Sequence, residues 1–165
     1  MKRELNILIG MIAVWCGMIV AAPLSAGGGF EGLFSRFMYS FFHTVCHQLD
    51  SHSFHIDGHK FAVCIRCTSI YGSFLAGMIA FRLSNRLRTA TFDPIRLLLI
   101  TATPMFCDAV LSMWTGYNAT VLSRIVTGSV FGTGMSFLLR DSLVGIVGST
   151  VHYLTQAHSY EFKTR

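Results

Sequence analysis

Charged side chains are scarce in this chain, at 13% of its 165 residues. Soluble domains carry about 25% charged residues, and a domain of this size has a large surface to cover with polar groups. Hydrophobic residues instead make up 52% of the chain, and the mean hydropathy is +0.54. The shortage of charge excludes an ordinary water-soluble domain and predicts a single membrane domain, residues 1–165.

Cysteines are few, and their number is odd, so five of them cannot all pair within one chain. This excludes a fully disulfide-linked framework. Cys16 and Cys107 lie within apolar runs, where a thiol packs as a small hydrophobe. A single basic stripe is also absent, although the net charge is +5. The spread of basic residues argues against nucleic acid as a partner and fits the positive-inside rule of membrane proteins.

Four apolar runs are long enough to cross a bilayer as helices, which takes about 20 residues. They cover residues 5–23, 62–81, 95–114 and 119–139. A cleaved signal peptide is the alternative for the first run, but the run is longer than the usual apolar region of such a peptide. The pattern predicts an all-α, polytopic membrane helical bundle of four transmembrane helices, in contact with the lipid bilayer.

The distribution of arginine predicts the orientation of this bundle. Segment 82–96 carries four arginines and one acidic residue, which places it on the cytoplasmic side. Both termini then lie on the cytoplasmic side of a bacterial inner membrane, and loop 43–67 lies on its outer side. Segment 142–158 is weakly apolar, so the sequence leaves open whether it is a further membrane helix or an extension of the fourth span.

An aromatic-rich segment, residues 30–46, lies between the first two spans. Its apolar residues recur at helical spacing, namely Phe30, Leu33, Phe34, Phe37, Phe41 and Val45. The pattern predicts an amphipathic helix lying along the membrane interface, with an ordinary bundle helix as the alternative. Its Phe-rich face also suggests an accessory subunit of a larger membrane complex, or a homo-oligomer.

Loop 43–67 concentrates side chains that bind metals. It holds three of the five cysteines and five of the seven histidines. Cys64 and Cys67 have the spacing at which a tight turn presents two thiolates to one ion, and Cys46 with His47 or His43 completes a tetrahedral set typical of zinc. We therefore predict a zinc site, with another transition metal as the alternative. His52, His55 and His59 are interpreted as solvated bystanders.

Two other interpretations of these cysteines remain open: a redox pair and a structural disulfide. Cys64 and Cys67 resemble the redox pair of membrane enzymes that pass electrons from thiols to quinone, and Arg66 between them would favour the thiolate. A disulfide that only staples the loop, joining Cys64 to Cys46 or to Cys67, is the other. The sequence therefore leaves open whether the protein is an enzyme.

Asp108 and Arg124 are ionisable residues inside apolar runs. Such charges are costly within a bilayer and usually face a partner or a water-filled cavity. Asp108 lies six residues before Trp114, and Arg124 lies six residues after Asn118, which places each about 9 Å along its helix from the outer side. Their equal depth predicts an Asp108–Arg124 ion pair, which either locks the two helices together or lines a polar cavity beneath the Cys/His loop.

The motifs of this chain resemble those of a family of small bacterial membrane proteins of unknown function. The matching elements are Cys46-His47-Gln48, Ser53-Phe54, the Cys-x-Arg-Cys-x-x-Ile-Tyr run from Cys64 to Tyr71, Pro104 with Asp108, and Arg124 with Thr127 and Gly128. The resemblance favours His47 over His43 as the histidine of the cluster. It also implies arginine as the usual residue where His52 stands. It implies no activity.

Overall fold

Helices account for 81% of the computed structural model, which describes residues 2–27, 30–84, 87, 93–115 and 119–163. Within these residues the chain forms five α-helices, which we number α1 to α5. They are α1 (Lys2–Leu24), α2 (Phe30–His43), α3 (Ile65–Leu83), α4 (Pro94–Trp114) and α5 (Val121–Lys163). The predicted all-α membrane fold is confirmed.

Three of these helices are long and apolar enough to cross a membrane: α1, α4, and α5 as far as Tyr153. Helix α3 has 19 residues, about 28 Å of helix. It carries Arg66 and Arg82, and it is not among the three. A helix therefore stands at each of the four predicted spans, while the assignment of α3 as a membrane crossing stays a prediction. Arg86 and Arg88 of the predicted basic loop lie outside the described residues.

Helix α3 lies at the centre, between α1 and α5. It runs antiparallel to α1, since Trp15 stacks on Tyr71 near one end and Arg82 Nε donates to Asn6 Oδ1 at 2.9 Å near the other. It runs parallel to α5, because Arg66 lies beside Gly128 and Gly77 beside Ser136. Helices α1 and α5 therefore cover two sides of α3.

Glycines allow the close approach of α3 and α5. A Cβ atom on Gly128 would lie 2.8 Å from the carbonyl oxygen of Arg66, and one on Gly132 would overlap Ile70 and Ser73. Small residues four apart let two helix backbones approach closely in a membrane. The Gly128-x-x-x-Gly132 spacing therefore brings the beginning of α3, with its functional residues, against the beginning of α5.

The last part of the chain continues α5 without a break to Lys163. This answers the question left open for segment 142–158, because it is part of the same helix. The 43 residues of α5 correspond to about 65 Å, roughly twice the thickness of the bilayer core. Val144 and Val147 pack against the cluster that contains Leu5 and Leu8, and a Cβ atom on Gly148 would lie 3.6 Å from Glu4 Cγ, so this part of α5 lies beside the start of α1.

Helix α2 packs lengthwise against α1. Ser35 Oγ donates to the Ala22 carbonyl oxygen at 2.8 Å, and the Phe42 ring contacts Trp15 edge-on at 5.1 Å. These contacts fit the bundle-helix alternative, while a position along the membrane interface stays a prediction. Residues Leu33, Phe34, Phe37 and Phe41 of the Phe-rich face are exposed, while the side chain of Phe30 lies outside the described part. The Phe-rich face is exposed because the opposite face of α2, with Ser35, Met38 and Phe42, packs against α1.

The segment between α2 and α3 is ordered into short elements instead of one simple loop. A 3-10 turn at Asp50–His52 precedes a two-stranded hairpin, His55–Ile56 paired with His59–Lys60. Asp57 and Gly58 form the hairpin turn with φ values of 50° and 80°, the left-handed values that favour an Asp-Gly pair. Asp57-Gly58 was the sequence signal for this hairpin.

Candidate metal centre

Three cysteine sulfurs converge at the start of α3. The Sγ atoms of Cys46, Cys64 and Cys67 all lie within 4.8 Å of one another. Sulfur atoms around a tetrahedral zinc ion, each at about 2.3 Å, stand about 3.8 Å apart. The donor set and its spacing therefore fit one thiolate-bound metal ion. Within the described residues this is the group of metal-binding side chains that the fold assembles.

Backbone hydrogen bonds hold the three cysteines in place. Cys46 lies three residues after His43, the last residue of α2, and its N–H donates to the carbonyl oxygen of Phe42 at 3.0 Å. Cys64 is the N-cap of α3, and its N–H donates to Cys46 Sγ at 3.2 Å. Cys67 lies on the first turn of the same helix. The site therefore joins the end of α2 to the beginning of α3.

The site lies below the end of α1. Ala62 and Val63, immediately before Cys64, are fully buried, and the N–H of Ala62 points to the carbonyl oxygen of Ile19 at 3.5 Å. Ile19 is five residues before Leu24, the last residue of α1, or about 7 Å along the helix. The thiols are thus recessed rather than placed at the tip of the loop.

The cluster favours a thiolate at Cys46. Hydrogen bonds from the Cys64 and Cys67 thiols hold the pKa of Cys46 far below its ordinary value, with a smaller contribution from the Cys64 and Gln48 backbone. A thiolate is the form of cysteine that binds metals and attacks disulfides. The arrangement can therefore serve either chemistry without any change of fold.

The fourth predicted ligand, His47, is outside the three-sulfur group. Its side chain is exposed, and it lines the same cavity of about 300 Å³ as Cys46, Cys64 and Cys67. His43, at the end of α2, is also exposed. The structure thus brings Cys46, Cys64 and Cys67 together and leaves His47 at the rim.

Asp108 forms an ion pair with Arg66. The Arg66 guanidinium and the Ser123 hydroxyl both donate to its carboxylate, and the Asp108 side chain is only 8% exposed. Arg66 lies between two of the cysteines, so this contact ties α3 to α4. The interpretation of Arg66 as a residue that only tunes a thiol is therefore incomplete.

The predicted Asp108–Arg124 ion pair differs from the pairing in the structure. Arg124 Nε donates to the Ala119 carbonyl oxygen at 3.1 Å, and its Nη2 contacts His52 Nε2 at 3.2 Å. Residues on a helix point about 100° apart from one position to the next. Because Ser123 is the residue of α5 that faces Asp108, Arg124 is turned toward the loop.

His52 belongs to the site although sequence reasoning made it a bystander. It lines the cavity together with Arg66 and Arg124. Burial, followed by the positive charges of Arg124 and Arg66, lowers its pKa. The lowered pKa favours the neutral imidazole, and the Arg124 guanidinium can donate a hydrogen bond only to an unprotonated His52 Nε2. The resemblance to the family of small membrane proteins was the sequence feature that could have indicated this, because it implies a cationic residue, arginine, at position 52.

His55 and His59 stay outside the site, as expected of bystanders. His55 Nε2 lies 3.3 Å from Asp50 Oδ1 in an exposed contact. His59 lines a separate cavity of about 510 Å³ beside Arg36 and Tyr39. Both are on the hairpin, and neither belongs to the three-sulfur group or lines its cavity. They contribute to the loop's structure rather than to the thiol cluster.

Membrane-spanning helices around a recessed thiol cluster define the class: an integral membrane protein of helical bundle type with a candidate metal centre. Residues 46–138 match the model of the predicted membrane protein family DUF2085. The chain belongs to this family. The match begins at Cys46 and includes Cys64, Cys67, Asp108 and Arg124.

Two archaeal proteins are similar to this chain. One is the uncharacterized protein MJ1492 of Methanocaldococcus jannaschii, 29% identical over 84% of this chain and 90% of its own length. The other is an uncharacterized protein of Methanothermobacter thermautotrophicus, 31% identical over 60% of this chain and 87% of its own. No solved structure matches the chain. The bacterial origin implied by the resemblance stays a prediction.

Proposed function

We propose that this membrane protein binds one zinc ion through Cys46, Cys64 and Cys67, with the His47 imidazole as fourth ligand. The observation that carries the proposal is the convergence of three thiol sulfurs within 4.8 Å of one another. Cysteine and histidine form closed tetrahedral sites of the structural type. The ion would fix the end of α2 to the start of α3, and a rotation of the rim residue His47 would complete its coordination.

The orientation of the bundle is part of the proposal. The arginine-rich segment 82–96 supports a cytoplasmic position for the end of α3, and the site, at the opposite end of α3, then faces outward. Both termini would face the cytoplasm. The exposed Phe-rich face of α2 is available to lipid, a second copy of the chain or a partner protein.

Elemental analysis of the purified chain tests the metal site. We expect about one zinc per chain in the unaltered protein, and none in a Cys64→Ser variant, because two thiolates and an imidazole hold zinc far more weakly than the full set. Cys107→Ser is the matched control, since Cys107 is exposed and away from the cluster, and it should keep its zinc. Unaltered protein that contains no metal and has all five of its thiols free would disprove the proposal.

A thiol–disulfide oxidoreductase is the second candidate function. Two observations favour it: the lowered pKa of Cys46 and the apolar wall that Val45, Leu49 and Met105 add to the cavity. A quinone would accept two electrons and two protons from a pair of these thiols, which would become a disulfide while the quinone becomes quinol. A thiolate of a dithiol partner would then attack that disulfide to form a mixed disulfide, and the partner's second thiol would release it, leaving the partner oxidised and the two cysteines reduced.

Thiol counting before and after addition of a quinone separates this candidate from the metal site. A redox enzyme should lose two free thiols per chain while the quinone is reduced to quinol. A Cys67→Ser variant should lose that reaction. Unchanged thiol and quinone concentrations would rule the candidate out.

A further inference from the structure

Arg124 carries a positive charge for which no carboxylate lies within ion-pair distance among the described residues. The acidic group of this region, Asp108, pairs with Arg66. The contacts of Arg124 are a carbonyl oxygen of Ala119 and the ring of His52, and both are neutral. A half-buried cation within a membrane bundle needs a counter-charge, because isolated charges there are strongly unfavourable.

The thiol cluster supplies a negative charge of the required size once a metal binds. Zinc-bound cysteines are deprotonated, so three thiolates around a divalent ion have a net charge of minus one. Arg66 and Asp108 cancel each other. Arg124 lines the same cavity as Cys46, Cys64 and Cys67, and a sphere of its volume, about 300 Å³, is only about 8 Å across.

We propose that Arg124 is the counter-ion of the metal–trithiolate complex. Its charge cancels the one left by a divalent ion on Cys46, Cys64 and Cys67, so that the loaded site as a whole is neutral. This inference rests on the proposed metal site. It also identifies the charge of the fourth ligand, because neutrality is kept only if that ligand is uncharged, as the imidazole of His47 is.

The charge balance also distinguishes between metals. A monovalent ion such as Cu⁺ is preferred by soft thiolates, but with three of them it forms a complex with two negative charges. One of those charges would remain uncompensated in the cavity. The surroundings of the cluster therefore favour a divalent ion, although the ligand atoms alone do not.

Zinc titration of an Arg124→Gln variant against a chromophoric chelator tests the proposal. Two unit charges separated by roughly the width of this cavity, about 8 to 9 Å, interact at an effective dielectric constant of about 20 strongly enough to change an affinity roughly 20- to 30-fold. We expect the variant to bind zinc roughly 20- to 30-fold more weakly, and to lose more in Cu⁺ affinity because that complex has twice the charge. Arg124→Lys, which keeps the charge, should stay within about 3-fold of the unaltered protein.

Cobalt(II) separates an electrostatic role from a structural one. The thiolate-to-cobalt absorption reports how many thiolates bind the ion, and it should be the same in Arg124→Gln and in the unaltered protein. Arg96→Gln is the matched control, since Arg96 is 84% exposed at the other end of the bundle, and it should leave zinc affinity unchanged.

The outcomes distinguish this inference from the proposed function. Unaltered protein without metal affinity overturns the proposed function itself. If zinc binds but Arg124→Gln binds it equally tightly, the counter-ion role is wrong while the metal site stands. Equal losses in Arg124→Lys and Arg124→Gln, or an altered cobalt spectrum, would also overturn it, because they would show that Arg124 acts through its contact with His52 and not through its charge.

Discussion

Replacement of Asp108 by alanine is expected to lower the free energy of unfolding by about 3–5 kcal/mol, the typical cost of removing one partner of a buried ion pair. The Asp108 side chain is 8% exposed and accepts hydrogen bonds from Arg66 and Ser123. Its removal leaves the Arg66 guanidinium buried without a counter-charge. Reversible unfolding by increasing SDS in mixed micelles, followed by circular dichroism, measures the change.

Two further variants test the reason for this loss. A double variant, Arg66→Met with Asp108→Leu, should recover most of the stability, since apolar residues of similar volume often replace a buried pair at little cost. Asp50→Ala is the control, because the Asp50–His55 pair is exposed and such pairs contribute about 0–1 kcal/mol. A loss of less than 1 kcal/mol in Asp108→Ala would contradict the importance of the pair.

Replacement of Gly132 by alanine should weaken the contact between α3 and α5. The added methyl group would lie 2.9 Å from the Ile70 Cα and would overlap the Ile70 carbonyl oxygen. A backbone atom of a helix cannot move aside as a flexible side chain can, so the two helices must separate. Overpacking typically costs about 1–3 kcal/mol, and we expect the upper end of that range in the same SDS unfolding experiment.

Gly145 provides the control on the same helix. A Cβ atom there meets nothing within 4 Å, so Gly145→Ala should be neutral or stabilising by up to about 1 kcal/mol through the higher helix propensity of alanine. The two substitutions make the same chemical change at different surroundings. Equal stability of the two variants would show that α3 and α5 do not pack as closely as the structure has them.

The fold was largely predictable because apolar run length and helix-breaking residues are local properties of the sequence. The helix at Pro94 begins where predicted, since Asp93 caps it by accepting from the N–H groups of Ile95 and Arg96. The face with which α2 packs against α1 was not predictable. The sequence predicted a helix whose Phe-rich face meets the membrane interface, and it did not indicate that Ser35, Met38 and Phe42 form the side that packs on α1. Which face a membrane helix buries against protein depends on its neighbours and not on hydrophobicity.

The grouping of the three cysteines was predictable from the sequence, whereas the pairing of the charged residues beside them was not. The spacing of Cys64 and Cys67 and the nearby Cys46 were enough to place three thiols together, because short-range spacing limits their separation. The partners of Asp108 and Arg124 depend on a rotation of about 100° between Ser123 and Arg124. Depth along a helix can be counted from the sequence, whereas this rotation follows from how α5 packs against α3 and α4.

The continuity of α5 has a mechanical consequence. Ser123 and Arg124 stand near one end of a helix that continues without a break to Lys163, and a helix resists twisting about its own axis. A torque applied at the far end would therefore turn Ser123 relative to Asp108 and Arg124 relative to His52 in the same sense. The Ser123–Asp108 and Arg124–His52 contacts are therefore connected to the C-terminal part of the chain through one continuous helix, α5.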